Sequence, residues 1–378
     1  MRLGVARALV GGELLDGDVE VVDGRIAAVG VGVPGGSRIA APGFVDLQVN
    51  GYAGVDFSAP GEDGYAVAGA ALPAGGVTAF QPTIVTAALD SMRDALAEVR
   101  RAARVESTPD RLRLPRAGGP IPRLIGAHLE GPFISPARPG AHDPGAIRPP
   151  DLTALEVLLA GGGVTQVTLA PELPGALELI DALVARGIVV SCGHTEADAA
   201  TAHLAFDRGA GAVTHLFNAM RRPTPRDPGI AFAALARDDV FVTLIVDGNH
   251  LADDTVRTVW RAAGERVVLI TDAVAAAGAP DGDHTLGGAV PVHSAGGAVR
   301  TAAGALAGST LSMLDAVRNS HALGVPLAAA LRAAGEAPAR MARNPSSFVT
   351  LWVTKDEGLC RAGMEARDVT GYLAGRPA

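Results

Sequence analysis

The sequence predicts an α/β protein built on a (β/α)8 barrel of the TIM type, and two observations carry this prediction. Eight short, almost wholly apolar runs lie between residues 43 and 274, and amphipathic stretches separate them. Strands that are apolar throughout and alternate with helices indicate a parallel sheet covered on both faces, and about 230 residues suit a barrel of eight units. Polar side chains also stand at the end of run after run, where a barrel places its catalytic groups.

The eight predicted strands are GFVDLQVNG, GVTAFQPTIV, RLIGAHLEGPF, VTQVTLAPEL, IVVSCGH, AVTHLFNA, FVTLIVDGNH and RVVLITDAV. Amphipathic patterns predict helices at 88–104, 177–186, 196–208 and 253–263. Thr195 and Asp198, three residues apart, predict a capping box at the start of one of these helices. The alternative fold is a doubly wound open sheet, which would usually carry a Gly-rich dinucleotide turn after its first strand. The sequence has no such turn there.

A different pattern precedes the barrel. Residues 1 to 40 alternate short Val, Leu and Ile runs with turn signals such as Gly11-Gly12 and Asp23-Gly24. Asp-Gly between two apolar runs is a strong hairpin signal, so this segment predicts a small meander of strands.

Composition excludes several classes of protein. With 48% hydrophobic and 19% charged residues the chain is globular, and no apolar run reaches the roughly 18 residues of a membrane-spanning helix. The net charge of -8 argues against binding to nucleic acid or to an anionic membrane. Glu13 and Asp16 interrupt the opening segment before a secretory signal could form, so we predict a cytoplasmic protein. Cys192 and Cys360 lie too far apart to suggest a disulfide framework or a zinc knuckle.

Polar residues at the strand ends predict a metal site. They are Gln48, Asn50, His128, Glu130, Glu172, His194, His215, Asn218, Asp247, His250 and Asp272. For any single histidine here a structural role is the commoner explanation. His194 and His215, however, end consecutive strands, and Glu130 can reach the same point across the barrel. Two imidazoles and one carboxylate leave a position open for water, as in a catalytic zinc site.

Asp272 ends the eighth predicted strand. A carboxylate at this point can take a proton from water and pass it to a leaving group, first as general base and then as general acid. The structural alternative is a cap on the segment that follows. Beside a metal site we favour the catalytic role.

Five motifs carry a resemblance to a known family. HLEGPF (128–133), GHTEAD (193–198), VTHLFNAM (213–220), DGNH (247–250) and ITDAV (270–274), in this order and spacing, resemble the N-acetylglucosamine-6-phosphate deacetylases of the amidohydrolase superfamily. The similarity covers about residues 41 to 345. It implies a metal-dependent barrel at 42–344 and a small β-domain built from the chain ends at 1–41 and 345–378.

The resemblance also implies roles for single residues. Glu130, His194 and His215 would bind one divalent metal, with Asp272 as the acid/base and His142 beside the scissile amide, where it would stabilise the oxyanion. The positions that match substrate-binding residues are Ala141, His142, Asn218, Ala219, Arg226, His250, Leu306, Ala307 and Gly308. Of these, Arg226 and His250 match phosphate-binding positions, and 306–308 matches a loop over the substrate. The alternative for Arg226 is a solvated surface arginine.

Gln48 and Asn50 stand where the superfamily commonly has the two histidines of His-x-His, which bind a second metal. Carboxamides are poor zinc ligands. We therefore predict one divalent metal per chain. Zinc is the expected ion, although the same ligands also accept Fe, Co or Mn. The resemblance further implies a homodimer.

The implied reaction is hydrolysis of N-acetylglucosamine 6-phosphate to glucosamine 6-phosphate and acetate. Two alternatives remain: an amidohydrolase that acts on a different amide, and a non-catalytic barrel that binds a sugar phosphate. After Asn344-Pro345 the chain departs from the pattern with which the family ends. The motifs therefore do not predict the C-terminal half of the small domain.

Overall fold

The computed structural model describes residues 2–22, 25–32, 37–106, 122–343, 351–355 and 358–361. The first strands are β1 (Arg7–Val10), β2 (Glu13–Asp16), β3 (Asp18–Val22), β4 (Arg25–Val31) and β5 (Ile39–Pro42). β1 and β2 form one hairpin, and β3 and β4 form another. The predicted meander is therefore confirmed, although its Asp23-Gly24 turn lies outside the described residues.

Eight parallel strands form the barrel. The strands of this region are β6 (Phe44–Val49), β7 (Gly51–Tyr52), β8 (Val55–Asp56), β9 (Val77–Val85), β10 (Arg123–Leu124), β11 (Ala127–Glu130), β12 (Val164–Leu169), β13 (Val189–Cys192), β14 (Ala212–Val213), β15 (Phe241–Leu244) and β16 (Val267–Leu269). Their order around the barrel is β6-β9-β11-β12-β13-β14-β15-β16. The Asp272 N–H donates to the Gln48 carbonyl at 3.0 Å, and Val49 pairs with Ala273, which closes the barrel. All eight predicted strands are present.

The third predicted strand is interrupted. RLIGAHLEGPF forms β10 and β11, separated by Ile125 and Gly126. Gly126 has φ +107°, and a Cβ at this position would lie 2.5 Å from the Thr165 side chain. The close approach of β12 therefore requires glycine here.

Helices cover the outside of the barrel. They are α1 (Gly64–Ala71), α2 (Leu89–Glu106), α3 (Leu152–Leu159), α4 (Ala176–Ala185), α5 (Ala199–Asp207), α6 (Gly229–Leu235), α7 (Asp253–Ala263), α8 (Met313–Ala322), α9 (Leu327–Ala334) and α10 (Glu336–Met341). The predicted capping box at α5 is wrong. Asp198 is itself the N-cap and accepts the Thr201 N–H at 2.8 Å, while the Thr195 hydroxyl donates to Glu172 at 2.5 Å. No helix among the described residues is long and apolar enough to cross a membrane.

A four-stranded antiparallel sheet follows the barrel's eighth strand. It consists of β17 (Gly282–Leu286), β18 (Val290–Ala295), β19 (Ala298–Thr301) and β20 (Leu306–Ser309). β20 returns to the barrel, where the Ser309 N–H donates to the Asp272 carbonyl at 2.9 Å. The expected loop at 306–308 is thus an edge strand, because these residues pair with β19.

Both ends of the chain contribute to one small sheet. β21 (Leu351–Lys355) and β22 (Gly358–Arg361) extend it in the order β2-β1-β5-β21-β22. β5 pairs parallel with β1 and antiparallel with β21. The fold class is therefore confirmed as a barrel with a small β-domain from the chain ends. The boundaries at residues 41 and 345 stay a prediction, and residues 362–378 lie outside the described part of the chain.

Candidate active site

Three strand ends bring Glu130, His194 and His215 together. Glu130 Oε1 lies 3.3 Å from His194 Nε2 and 3.0 Å from His215 Nε2, and the two imidazole nitrogens are 3.1 Å apart. Ligands at about 2.1 Å from a tetrahedral metal are roughly 3.4 Å from one another, so these atoms fit a single ion. Each side chain is at most 6% exposed. Within the described part of the chain, this is the one group of His, Cys, Asp or Glu with ligand atoms close enough to share an ion.

The backbone at this site is strained. His194, His215 and Asp272 have φ of +48°, +31° and +50°, although none of them is glycine. Such conformations are costly and cluster at functional sites, where the surrounding structure holds them in place. Three of the four predicted metal and acid/base residues share this feature.

The hydrogen bond at the far side of the ring orients His194. Its Nδ1 lies 3.0 Å from the Arg138 carbonyl oxygen, which can only accept, so Nδ1 carries the proton. The lone pair of Nε2 is then free to bind a metal. Glu172 holds the segment after this ligand, because its carboxylate accepts the Thr195 hydroxyl at 2.5 Å and the Glu196 N–H at 2.7 Å. The sequence indicated Glu172 as a strand-end residue, but not this positioning role.

Glu130 is held in its charged form. Burial alone would raise its pKa, but hydrogen bonds with His194 and His215 keep the pKa well below the ordinary value. An ionised carboxylate between two imidazoles is a set of donors that suits a divalent cation.

Asp272 lies beside this cluster and receives two amide donors. Gln48 Nε2 and Asn50 Nδ2 lie 3.1 and 2.7 Å from Asp272 Oδ1, and Gln48 Nε2 is also 3.1 Å from Glu130 Oε1. Burial raises the pKa of Asp272 to about 6, and the negative charge of Glu130 adds to the effect. The carboxylate is therefore a stronger base than an ordinary aspartate.

His142 faces the same point from the loop after β11. The Thr86 N–H donates to His142 Nδ1 at 3.3 Å, which places the ring proton on Nε2. Burial lowers the pKa of this histidine to about 3, so the ring is neutral. His142 Nε2 lies 3.8 Å from Glu130 Oε2. It is therefore a neutral donor beside the cluster of predicted ligands.

These residues line a pocket of about 250 Å³ at the carboxyl ends of the strands. The sequence-predicted residues in its lining are Asn50, Glu130, Ala141, His142, His194, His215, Asn218, Ala219, His250, Asp272, Leu306 and Gly308. His250 Nδ1 lies 2.8 Å from Asp247 Oδ2, which fixes the ring. Gln48 lies beneath the pocket, and Ala307 is fully buried in a neighbouring apolar cluster. Arg226 is exposed and does not line the pocket.

One strand-end histidine is structural. His128 lies between the hydroxyls of Thr83, at 3.1 Å, and Thr168, at 2.7 Å. Burial lowers its pKa to about 4, so it is neutral in the barrel interior. The pocket is also lined by residues that no motif in the sequence singles out, namely Val85, Gly140, Ile245, Leu286 and Ala305. Apolar and glycine residues of this kind carry no chemical signal of their own.

A carboxylate beside a His2Glu set, at the carboxyl end of a barrel, is suited to activating water, and this chemistry defines the class of metal-dependent barrel hydrolases. The particular family follows from comparison with known proteins. The chain belongs to the amidohydrolase family, whose model matches residues 39–344.

Curated relatives share this similarity over most of their length. N-acetylgalactosamine-6-phosphate deacetylase of Escherichia coli O157:H7 is 38% identical over 339 residues, which cover 87% of this chain and 86% of that protein. N-acetylglucosamine-6-phosphate deacetylase of Mus musculus is 40% identical over 322 residues, which cover 81% and 75%.

Solved structures are also similar to this chain, over nearly its whole length. A variant of N-acetyl-D-glucosamine-6-phosphate deacetylase from Mycobacterium smegmatis, in complex with N-acetyl-D-glucosamine-6-phosphate, has a TM-score of 0.85 and 35% identity, over 96% of this chain and 98% of that one. N-acetylglucosamine-6-phosphate deacetylase from Thermotoga maritima has a TM-score of 0.84 and 29% identity, over 97% and 99%.

Proposed function

We propose that the protein is a metal-dependent deacetylase that hydrolyses N-acetylglucosamine 6-phosphate to glucosamine 6-phosphate and acetate. The observation that carries the proposal is the grouping of Glu130, His194 and His215 with Asp272 and His142 in one pocket. The names of the related deacetylases support the substrate class.

The proposed cofactor is one divalent metal per chain, held by Glu130, His194 and His215. Zinc suits two imidazoles and a carboxylate, and Fe, Co or Mn can take the same ligands. When bound, the metal lowers the pKa of water and polarises the amide carbonyl. Gln48 and Asn50 donate to carboxylates from the place of a second metal site, which supports a single ion.

Two side chains move or hold protons in the proposed mechanism. Asp272 accepts a proton from the attacking water and then donates it to the departing amine, and a pKa of about 6 suits both steps near neutral pH. His142 keeps its Nε2 proton and donates a hydrogen bond from this N–H to the carbonyl oxygen, where negative charge develops. Because His142 is neutral and held by Thr86, this donor is oriented before the substrate binds.

The sugar phosphate is proposed to lie beside Asn218, Ala219 and His250, which line the pocket after β14 and β15. Arg226 is exposed in the turn at 224–227, and the Arg221–Asp227 ion pair fixes this turn. We propose a homodimer in which Arg226 of each copy binds the phosphate in the pocket of the other. A cytoplasmic location also stays a prediction.

A second substrate has specific support. The relative from Escherichia coli O157:H7 is named for N-acetylgalactosamine 6-phosphate and is similar over 86% of its length. The two sugars differ only in the configuration of one hydroxyl group. N-acetylgalactosamine 6-phosphate is therefore the competing substrate. The non-catalytic alternative is disfavoured, because the predicted ligands and Asp272 lie together in the pocket.

The test measures acetate release from both phosphorylated sugars and from unphosphorylated N-acetylglucosamine, with the metal present and after chelation. We expect metal-dependent release that is fastest with N-acetylglucosamine 6-phosphate. Equal rates with the unphosphorylated sugar would refute the phosphate assignment. Asp272→Asn should lower kcat by a factor of about 10² to 10⁴. Its metal content should match that of the wild type, and near-normal turnover would refute the acid/base role.

A further inference from the structure

A second cavity lies directly behind one wall of the active-site pocket. This side cavity has a volume of about 360 Å³ and opens to solvent, because the lining residues Ala88 and Asp143 are exposed. Most of its other lining residues are small and belong to segments 58–59, 86–88 and 287–289. Four residues line both spaces, namely Val85, Ala141, His142 and Leu286. They form a partition, which we call the wall, between the pocket and the side cavity.

Apart from His142, the wall is apolar and closely packed. Val85 and Leu286 are 4% and 5% exposed and belong to one buried cluster, against which Ala141 packs. Gly287 has φ +66°, and a Cβ there would lie only 2.7 Å from Val85 Cγ2. The next residue, Gly288, donates its N–H to Asp56 at 2.8 Å. The turn between β17 and β18 is thus fixed against the end of β9, and the wall is closed.

The order of the strands places Val85, at one edge of this wall, opposite the proposed sugar site. Val85 ends β9, the second strand of the barrel, whereas Asn218 and His250 follow β14 and β15, the sixth and seventh. If the sugar phosphate lies against β14 and β15, the acyl group on the other side of the scissile amide points toward β9. His142, the proposed partner of the amide carbonyl, already belongs to the wall.

From this arrangement we propose that Val85 and Leu286 determine the size of the acyl group that the enzyme hydrolyses. The side cavity behind them is an acyl-chain subsite that becomes available when the wall is opened. An acetyl methyl group fits against the closed wall, whereas each further methylene would have to displace a buried side chain. This inference rests on the proposed deacetylase function.

The test compares the N-acetyl, N-propionyl and N-butyryl derivatives of glucosamine 6-phosphate. In the wild type we expect kcat/KM to fall by at least about tenfold for each added methylene. Leu286→Ala and Val85→Ala, two truncations on different strands, should each raise the ratio of butyryl to acetyl kcat/KM by about ten- to a hundredfold. Ile245→Ala is the matched control, because Ile245 lines the pocket but not the side cavity. It should leave this ratio near the wild-type value.

The outcomes separate the two proposals. If the wild type releases acetate but its kcat/KM is flat across the acyl series, the wall does not select acyl size and this inference is wrong. The same conclusion follows if neither truncation changes the ratio, or if Ile245→Ala raises it equally. Only the failure of the wild type to deacetylate N-acetylglucosamine 6-phosphate would overturn the function itself, and the inference with it. Val85→Ala and Leu286→Ala are independent truncations, so one folded variant is enough for the test, and a flat wild-type series refutes the inference without either of them.

Discussion

The buried carboxyl group of Asp46 should make the stability of the protein depend on pH. Asp46 lies within β6 and is fully buried. Its Oδ2 accepts the Thr271 hydroxyl at 2.5 Å, and its Oδ1 accepts the Thr271 N–H at 3.2 Å. Burial raises the pKa to about 7, because these hydrogen bonds only partly offset the loss of water and the charge of Asp272 acts in the same direction.

The sign and size of the effect follow from this pKa. The ordinary value is 3.8, so between about pH 4 and pH 7 the folded protein holds a proton on Asp46 that the unfolded chain has lost. Stability therefore falls as pH rises, by at most about 1.4 kcal/mol per pH unit and about 4 kcal/mol in total. Asp46→Asn removes this titration. The free energy of unfolding of the variant, relative to the wild type, should rise by up to this amount from pH 4 to pH 8.

The assay is urea unfolding of both proteins from pH 4.5 to 8 at saturating metal. All other titrating groups are shared, so the difference between the two proteins reports the titration of Asp46 together with its coupling to Asp272. Asp90, whose side chain is 82% exposed, offers a matched Asp→Asn control. A difference between Asp46→Asn and the wild type that stays constant across the range would refute the argument.

Three further perturbations act on the metal site. Gly140→Ala would place a Cβ 2.8 Å from His194 Cε1, at a residue with φ +57°, and should therefore lower the metal content at least about tenfold. Gly162→Ala is the control, because this residue has φ +69° but no atom within 4 Å of the new Cβ, and this variant should retain the metal. Elemental analysis of both variants measures the difference. Glu172→Gln weakens the hydrogen bond from the Thr195 hydroxyl and should speed the loss of metal to a chelator about tenfold or more. An unchanged rate of metal loss would contradict the positioning role of Glu172. Chelation should lower the melting temperature, and added metal should restore it in proportion to the logarithm of its concentration.

The barrel and the meeting of its polar strand-end residues are predictable from the sequence for a physical reason. Parallel strands covered on both faces must be apolar throughout, so each strand is visible as a run, and a polar residue at its end stands out. Barrel topology then brings those ends to one mouth. Glu130, His194, His215 and Asp272 therefore meet, although Glu130 and Asp272 are 142 positions apart in the sequence.

The parts that escaped prediction lack such signals. The β17–β20 sheet is rich in alanine and glycine, so its alternation is weak and its wall residue Leu286 is not visible in the pattern. Thr195 and Asp198 matched a capping box by spacing, but Glu172, distant in sequence, takes the Thr195 hydroxyl. The position of Arg226 outside its own pocket depends on the three-dimensional course of its turn.

Gln48 and Asn50 connect the predicted metal stoichiometry to the chemistry. Gln48 Nε2 lies 3.1 Å from both Glu130 Oε1 and Asp272 Oδ1, so one amide group bridges two buried carboxylates. A second cation in this place would stabilise the ionised form of Asp272 and depress its pKa. A neutral amide also satisfies the oxygens but adds no positive charge, and the pKa of Asp272 remains raised, at about 6. The hydrogen bond from Asn50 lowers the pKa of Asp272, but burial outweighs it, so the carboxylate stays a stronger base than an ordinary aspartate.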